Sequence, residues 1–352
     1  MTDPARPPQS PPPVDLTVVV GSYNRADMLA ETLDSLTSLK TELPSGERFT
    51  YEVVAVDNAS TDHTQEVIAR YAEPGASGTA ARVRGFYESQ AGVTHARNRG
   101  LAEMAGEWVA FHDDDQRAHP AWLVRLQELA RRRDVKVVGG AVHLSLPESN
   151  TRVLAGPVRV LLGEKVGWDR EQPYTRKRVP GTNNLMLHRE VIDRVGVFDT
   201  RITNGGEDAD LYRRVRSAGY DAWYTPDAIV YHLIPEPRLA DDYMRWTATR
   251  HGQHLALREL RDWGRAGLLG MLGIRAAQAG ISYFPRFAWS KLAGRGEEAL
   301  GYRALLWRSQ AYLAHAWSLV GKGDAAATET DGSLNLREGR ERLIHGGGES
   351  SG

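Results

Sequence analysis

Three consecutive carboxylates, Asp113-Asp114-Asp115, close the short apolar run Trp108, Val109, Ala110 and Phe111. Adjacent like charges repel, and a fold does not gain stability by placing them at the mouth of a buried strand. A hard divalent cation, which prefers oxygen ligands, relieves that repulsion, so the triplet reads as a metal or phosphate site. The competing reading, a solvated acidic loop, loses weight because the triplet ends the fourth of a series of strand-like runs. Two more carboxylates, Glu207 and Asp208, follow the Gly205-Gly206 pair and open a helical run. On its own such a pair reads first as a favourable partner for a helix dipole. A further acid, Asp57, begins the polar stretch Asp57-Asn58-Ala59-Ser60-Thr61-Asp62.

The elements that must position these groups alternate. Leu16–Val20 is a strand-like run ending at Gly21-Ser22-Tyr23-Asn24-Arg25, and a helix with Met28, Leu29, Leu33 and Leu36 follows at the helical period. Tyr51–Val56 is the second strand, and Asp62 is a candidate cap for the next helix. Val83–Tyr87 and a helix over Thr94–Ala105 lead to the strand that carries the triplet. A helix over Ala121–Arg132 and a strand over Val135–Val142 come after it. This predicts an α/β fold with a mostly parallel sheet and helices on both faces. Ligands in such sheets bind beyond the carboxyl ends of the strands. Those ends carry Ser22, Asn24, Arg25, Asp57 and the triplet, so polar groups from separate strands should converge.

Later, Pro180–Leu187 is a polar turn entering a short strand, and Glu190–Val195 is a short helix. Ala209–Ala218 is another helix, and two short strands follow at Asp221–Tyr224 and Ala228–Tyr231, ending at His232. No G-x-G-x-x-G follows the first strand and no G-x-x-x-x-G-K-[ST] occurs, which disfavours a dinucleotide site and a P-loop. With 352 residues the chain can bury a sizeable core, and its net charge of −1 gives no case for nucleic acid. Absence of cysteine excludes disulfides and thiolate chemistry and fits a reducing compartment. The first residues are Pro-rich without an apolar core segment, so no signal peptide is read there. The expectation is cytoplasmic.

The pieces Val18–Arg25, Val56–Asp62, Ala91–Gly100, Asp113-Asp114-Asp115 and Gly206-Glu207-Asp208 resemble, in order, the motifs of inverting nucleotide-sugar glycosyltransferases of family 2. The likeness covers residues 15–235 and implies the GT-A fold. Gly181-Thr182-Asn183-Asn184 and Gly205–Asp210 also resemble bacterial glucosyltransferases that build succinoglycan-type exopolysaccharides. The resemblance implies that Asp57 accepts hydrogen bonds from the base or ribose of a nucleotide, expected to be that of a UDP-sugar. Ser22 and Asn24 line the same mouth, Arg25 neutralises phosphate, and Arg97 reaches the nucleotide or its diphosphate. Asp113 belongs to the same donor site, Asp114 faces the ribose, and Asp115 ligates Mg²⁺ or Mn²⁺. Asp208 is placed as the base, with Glu207 second and positioning the acceptor. Some GT-A relatives use a histidine near His232 as a metal ligand, whereas the succinoglycan-type enzymes more often carry Glu there. A ligand and a structural histidine both stand as readings of His232. A nucleotidyltransferase is disfavoured by the missing triphosphate loop, and a non-catalytic scaffold by the intact Glu207-Asp208 pair.

The organisation expected is a Pro-rich disordered lead over 1–13, a nucleotide-sugar-binding half over 14–145 and an acceptor-binding half over 146–237. A helical C-terminal region over 238–321 and a disordered tail over 322–352 complete it. Residues 238–308 hold 12 Lys+Arg against 6 Asp+Glu, with several Trp. That region reads either as a helical appendage packed on the catalytic domain or as a basic surface resting on anionic lipid at the inner face of the membrane. The acceptor expected is a growing polysaccharide or a lipid-linked glycan.

Overall fold

The computed structural model describes residues 13–73, 81–166, 168–175, 178–202 and 205–322. The expectations for the lead over 1–12 and for the tail from 323 onward lie outside those residues.

The chain opens with β1 (Leu16–Ser22), α1 (Ala26–Thr37), β2 (Tyr51–Asp57), α2 (Thr64–Ala72), β3 (Arg82–Tyr87) and α3 (Val93–Glu103). Next come β4 (Trp108–Asp113), β5 (Gln116–Ala118), α4 (Trp122–Arg133), β6 (Val137–Ser145) and α5 (Gly156–Leu161). They are followed by β7 (Gln172–Pro173), β8 (Asn184–His188), α6 (Arg189–Val195), α7 (Glu207–Ser217) and β9 (Ala222–Leu233). The described residues fall into two compact units. The first takes them from Met1–Ala141, Val166–Arg201 and Glu207–Tyr231, and the second from Val142–Lys165, Ile202–Gly206 and His232–Gly352.

In the first unit the strand order is β3-β2-β1-β4-β8-β6-β9-β5, with β7 beside β9. The β3, β2, β1 and β4 half is parallel, and β8 runs antiparallel to β4 and β6. Parallel strands need coverage on both faces, and the register shows how it is supplied. Val19 pairs with Val54 and Phe111 on one face, where Ala96 and Leu101 of α3, Val191 and Ile192 of α6 and Leu211 and Val215 of α7 close the core. On the other face Val20 pairs with His112, whose ring meets Trp122 of α4 edge-on at 5.2 Å. Gly100 is required by the close approach of α3, since a β-carbon there would sit 2.2 Å from a Val19 methyl.

Two boundaries differ from expectation. The segments Asp221–Tyr224 and Ala228–Tyr231 are one strand, β9. Pro226 has no N–H, and the Asp227 N–H turns to the Thr225 hydroxyl at 3.2 Å, so the middle of the strand reads as a break. Helix α7 begins at Glu207, two residues early, which places both carboxylates in its first turn.

The second unit is helical. A short 3₁₀ turn (Glu236–Leu239) precedes α8 (Asp241–Ala277), which is interrupted at Gly264, φ 65°. A π-helical turn (Gln278–Tyr283), α9 (Phe284–Leu292) and α10 (Gly296–Lys322) follow. Leu154, Val158 and Leu161 pack with Tyr243, Met244, Ala248, Leu300 and Ala304, and a second cluster joins Ala256, Leu260 and Leu268 to Tyr312, Ala316 and Leu319. The sequence suggests a stripe through Tyr312 and Trp317 along the inner face of α10. The buried line does include Tyr312, with Leu300 and Leu319, but alternates with Ala304 and Ala316, and α8 and α10 approach so closely that a β-carbon on Gly252 would meet the Arg308 carbonyl. Trp317 is 70% exposed.

Candidate active site

The parallel strands end level with one another. Ser22 pairs with Asp57 across β1 and β2, and Gly21 with Asp113 across β1 and β4. The loops beyond them are bolted together by their polar side chains. The Asn24 N–H donates to Ser60 Oγ at 3.0 Å, and Asn24 Oδ1 accepts from the Thr61 N–H at 2.7 Å. Asn24 (φ 49°) and Ala59 (φ 61°) both hold left-handed backbone there, a cost of roughly 1–2 kcal/mol for alanine that the interlock sustains. Asp62 joins two helix starts. Burial alone would raise its pKa, but hydrogen bonds from Thr64 at 2.5 and 3.0 Å and from the Ala26 N–H at 3.1 Å hold it below the ordinary value. Asn58, in a formal glycosylation sequon, is buried against the loop after β3, with its amide on the Gln90 carbonyl at 2.7 Å.

Within this frame Asp57 Oδ1 accepts from the Ser60 N–H at 3.0 Å, while Oδ2 is buried and has no partner among the described residues. An unpaired buried carboxylate oxygen costs free energy unless a ligand satisfies it. The triplet is pinned from below, where the Thr32 hydroxyl lies 3.0 Å from the Asp114 carbonyl and 2.8 Å from the Gln116 carbonyl. Ser22 Oγ donates to Asp114 Oδ2 at 2.8 Å. Arg25 Nη1 lies between Asp114 Oδ1 at 2.6 Å and Asp115 Oδ2 at 3.2 Å. His112, just upstream, adds no charge, because burial pushes its pKa down to about 4.

Arg97 organises the remaining acids. Its guanidinium lies 2.9 Å from Glu207 Oε1, 3.4 Å from Asp113 Oδ1 and 3.6 Å from Asp208 Oδ1, and stacks over Phe198. The buried Thr182 hydroxyl also donates to Asp208 Oδ1. These two contacts of Asp208 fall on one oxygen. Burial raises the Asp113, Asp114 and Glu207 carboxyls above their ordinary values. Repulsion from neighbouring acids adds to this, and Arg97 or Arg25 only partly opposes it.

Asp113, Asp114, Asp115, Glu207 and Asp208 therefore share two guanidiniums, Arg25 and Arg97, an excess of negative charge in a buried setting. Among the described residues no three carboxylate or imidazole groups converge to hold a metal by themselves. The donor set fits a hard cation that completes its shell from a bound ligand: it is all oxygen, over-acidic, and Asp114 and Asp115 already aim at one positive group.

The sequence-derived residues Ser22, Asn24, Arg25, Asp57, Arg97, Asp113, Asp114, Asp115, Glu207 and Asp208 all lie in this first-unit assembly. His232 belongs to the second unit, with Nε2 3.1 Å from Arg238 Nη1 and its ring against Gly163. Thr182 carried no role in the sequence reading. A hydroxyl inside a Gly-Thr-Asn-Asn turn gives no sign, by spacing alone, that it reaches an acid 26 positions away.

Residues 17–195 match the sequence profile of Glycosyl transferase family 2, and residues 108–319 that of Glycosyl transferase family group 2. The chain is similar to glycosyltransferase AglE of Haloferax volcanii, 28% identical over 217 residues, covering 62% of this chain and 66% of AglE. It is also similar to succinoglycan biosynthesis protein ExoM of Rhizobium meliloti, 28% identical over 295 residues, 78% of this chain and 86% of ExoM. The match thus spans a little under two-thirds of AglE and most of ExoM. Mannosyltransferase PcManGT from Pyrobaculum calidifontis, solved with GDP-Man and Mn²⁺, shares the fold with a TM-score of 0.55 at 22% identity, covering 89% of this chain and 88% of that one. By the profile that spans half its length and the polar ends of β1, β2 and β4, the chain belongs to glycosyl transferase family 2.

Proposed function

We propose that this protein is a metal-dependent, inverting glycosyltransferase that moves a sugar from a nucleoside diphosphate to a hydroxyl of a growing polysaccharide or lipid-linked glycan. The observation that carries the reading is Asp57 Oδ2, a buried acceptor without a partner among the described residues, level with Ser22 on β1, whose other neighbour carries the over-acidic triplet. A base edge presenting an N–H, as uracil and guanine do, satisfies it. Asp115, assisted by Asp114, would hold Mg²⁺ or Mn²⁺, whose Lewis acidity offsets charge on the departing diphosphate.

The chain's own groups do the rest. Arg25 stays paired with the triplet and lends positive charge to the phosphates. Arg97 and Thr182 fix Asp208 through Oδ1, leaving Oδ2 to take the proton of the acceptor hydroxyl. Attack from that side, opposite the leaving diphosphate, inverts the anomeric carbon, and a positioned base contributes about 10²–10⁴ in rate. Glu207, held against Arg97 at 2.9 Å, orients the acceptor sugar beside the base.

ExoM's role in succinoglycan biosynthesis supports a polysaccharide acceptor, and PcManGT's complex with GDP-Man and Mn²⁺ supports a nucleotide-sugar donor and a divalent ion. Among the described residues no helix is long and apolar enough to cross a membrane. Exposed Trp263, Ile281, Phe284, Trp289 and Leu292 beside Arg286, Lys291 and Arg295 support peripheral contact with an anionic leaflet. The test is nucleoside diphosphate release across UDP- and GDP-sugars, with Mn²⁺ or Mg²⁺, in the presence and absence of polysaccharide acceptor. Acceptor-stimulated release from at least one donor, lost on chelation, is expected. Release of pyrophosphate from a sugar phosphate and a nucleoside triphosphate would instead reveal a nucleotidyltransferase, and binding without turnover a scaffold.

A further inference from the structure

In the helical second unit one element is built inside out. Helix α9 carries Phe284, Phe287, Trp289 and Leu292, yet its one buried residue is Ser290, whose Oγ has no hydrogen-bond partner among the described residues. The π-helical turn before it, Gln278–Tyr283, has no buried residue. A helix that packs on a protein core does the opposite, as α1 does by burying Leu29, Leu33 and Leu36. Ile281 is 80% exposed, Trp289 65% and Leu292 85%. Single exposed apolar side chains are ordinary, but a contiguous set of large ones marks a surface with a partner.

The charge along the same stretch is one-sided. From Trp263 to Arg295 there is no Asp or Glu, against Arg265, Arg275, Arg286, Lys291 and Arg295. Arg275 is taken by Glu259 at 2.7 Å, and Arg295 lies 3.4 Å from Glu298. Arg286 and Lys291 belong to the apolar face itself. At 3.6 residues per turn, Phe284, Trp289 and Leu292 span an arc of about 140° around α9, Arg286 and Lys291 stand at its two borders, and Ser290 lies on the far side. An apolar arc bordered by cations matches a surface that is apolar within and anionic at its edge, which is the boundary of a bilayer. A second copy of this face matches it poorly. A two-fold contact would set Arg286 and Lys291 against their own equivalents, with no acid on the face to separate them.

We propose that the π-helical turn and α9 lie in the plane of an anionic bilayer, with Ile281, Phe284, Trp289 and Leu292 among the acyl chains and Arg286 and Lys291 at the lipid phosphates. The proposal rests on the leaflet contact of the reading above and deepens it, giving that contact one element, a depth and a lipid charge. The other apolar side chains of the unit do not compete for this role, since those of α5, the first part of α8 and α10 close on one another in two clusters.

Flotation of the full chain with vesicles of phosphatidylcholine and phosphatidylglycerol, and with phosphatidylcholine alone, tests this. The protein should rise with the anionic vesicles and stay below with the neutral ones. Ile281→Gln and Leu292→Gln should each lower the partition coefficient about tenfold or more, the loss of one buried aliphatic side chain. Arg286→Gln and Lys291→Gln should each lower it about fivefold. All four positions are exposed, so thermal midpoint and UDP–Mn²⁺ affinity should not change. Lipids brominated on their acyl chains should quench tryptophan fluorescence more in the parent protein than in Trp289→Phe. Protein that stays below with both vesicles, or floats undiminished in both apolar variants, would overturn the proposal. So would a dimer in lipid-free ultracentrifugation that Leu292→Gln dissociates, which would give the face to a second copy. UDP–Mn²⁺ binding measured on the same preparation keeps the two readings apart: its absence refutes the donor site and leaves the flotation result standing.

Discussion

Replacing Arg97 with methionine keeps an unbranched apolar stem and removes the cation that Asp113, Glu207 and Asp208 share among the described residues. All three carboxylates lie within 3.6 Å of its guanidinium, and Arg97 is 8% exposed. Removing one partner of a buried ion pair costs about 3–5 kcal/mol, because the remaining charge is left uncompensated. At about 2–4 °C per kcal/mol for a unit of this size, the unfolding midpoint should fall by about 6–20 °C. The pH dependence identifies the cause. Arg97 lowers the pKa of Asp113 and Glu207 against burial, so without it both rise further. A carboxyl whose folded pKa is raised contributes stability that is present below its unfolded pKa and lost as pH rises through the folded one. The deficit should therefore be largest near pH 8 and shrink towards pH 5. Adding Glu207→Gln should restore part of the loss, with a coupling of about 0.5–3 kcal/mol. Urea or thermal unfolding of the four proteins across that pH range measures this. A deficit below about 1 kcal/mol, or one independent of pH, would refute a carboxylate cluster held together by Arg97.

Asp57→Asn keeps the shape but offers Oδ2's position as an amide donor or leaves it uncharged. UDP affinity should fall about tenfold or more with little change in thermal stability, and unaltered affinity in a fluorescence titration would remove Asp57 from the nucleotide site. Thr182→Val removes the hydroxyl that fixes Asp208. It should lower kcat about tenfold while KM for the donor holds, and a changed donor KM alone would contradict a positioning role. Binding of UDP with Mn²⁺ places positive charge beside Asp113 and Asp114, whose pKa values are raised. The bound cation should lower them again, so affinity should rise with pH, and calorimetry in two buffers showing proton uptake would contradict this.

The parallel half of the sheet was legible because its strands are continuous apolar runs, and the strand-end polar groups followed from the connectivity such runs impose. Ser22, Asp57 and Asp113 are level because neighbouring parallel strands share a register. What the side chains do there was less visible. Arg97 meets acids, and Asn24 ties two loops, because those contacts depend on where α3 and α7 dock. Strand β9 was hidden by Pro226, and the inner line of α10 by alanine, which packs two helices closely while adding little to a hydrophobic pattern. The carboxylate pair in the first turn of α7 looked like ordinary helix capping, and only the contacts of Arg97 and Thr182 separate it from that.

Asp208→Asn tests the centre of the account, a carboxylate that takes the acceptor's proton without helping to hold the donor. UDP–Mn²⁺ affinity should stay within about twofold of the parent protein, while acceptor-dependent turnover falls by about 10²–10⁴. Turnover near that of the parent would contradict the assignment of Asp208 as the base.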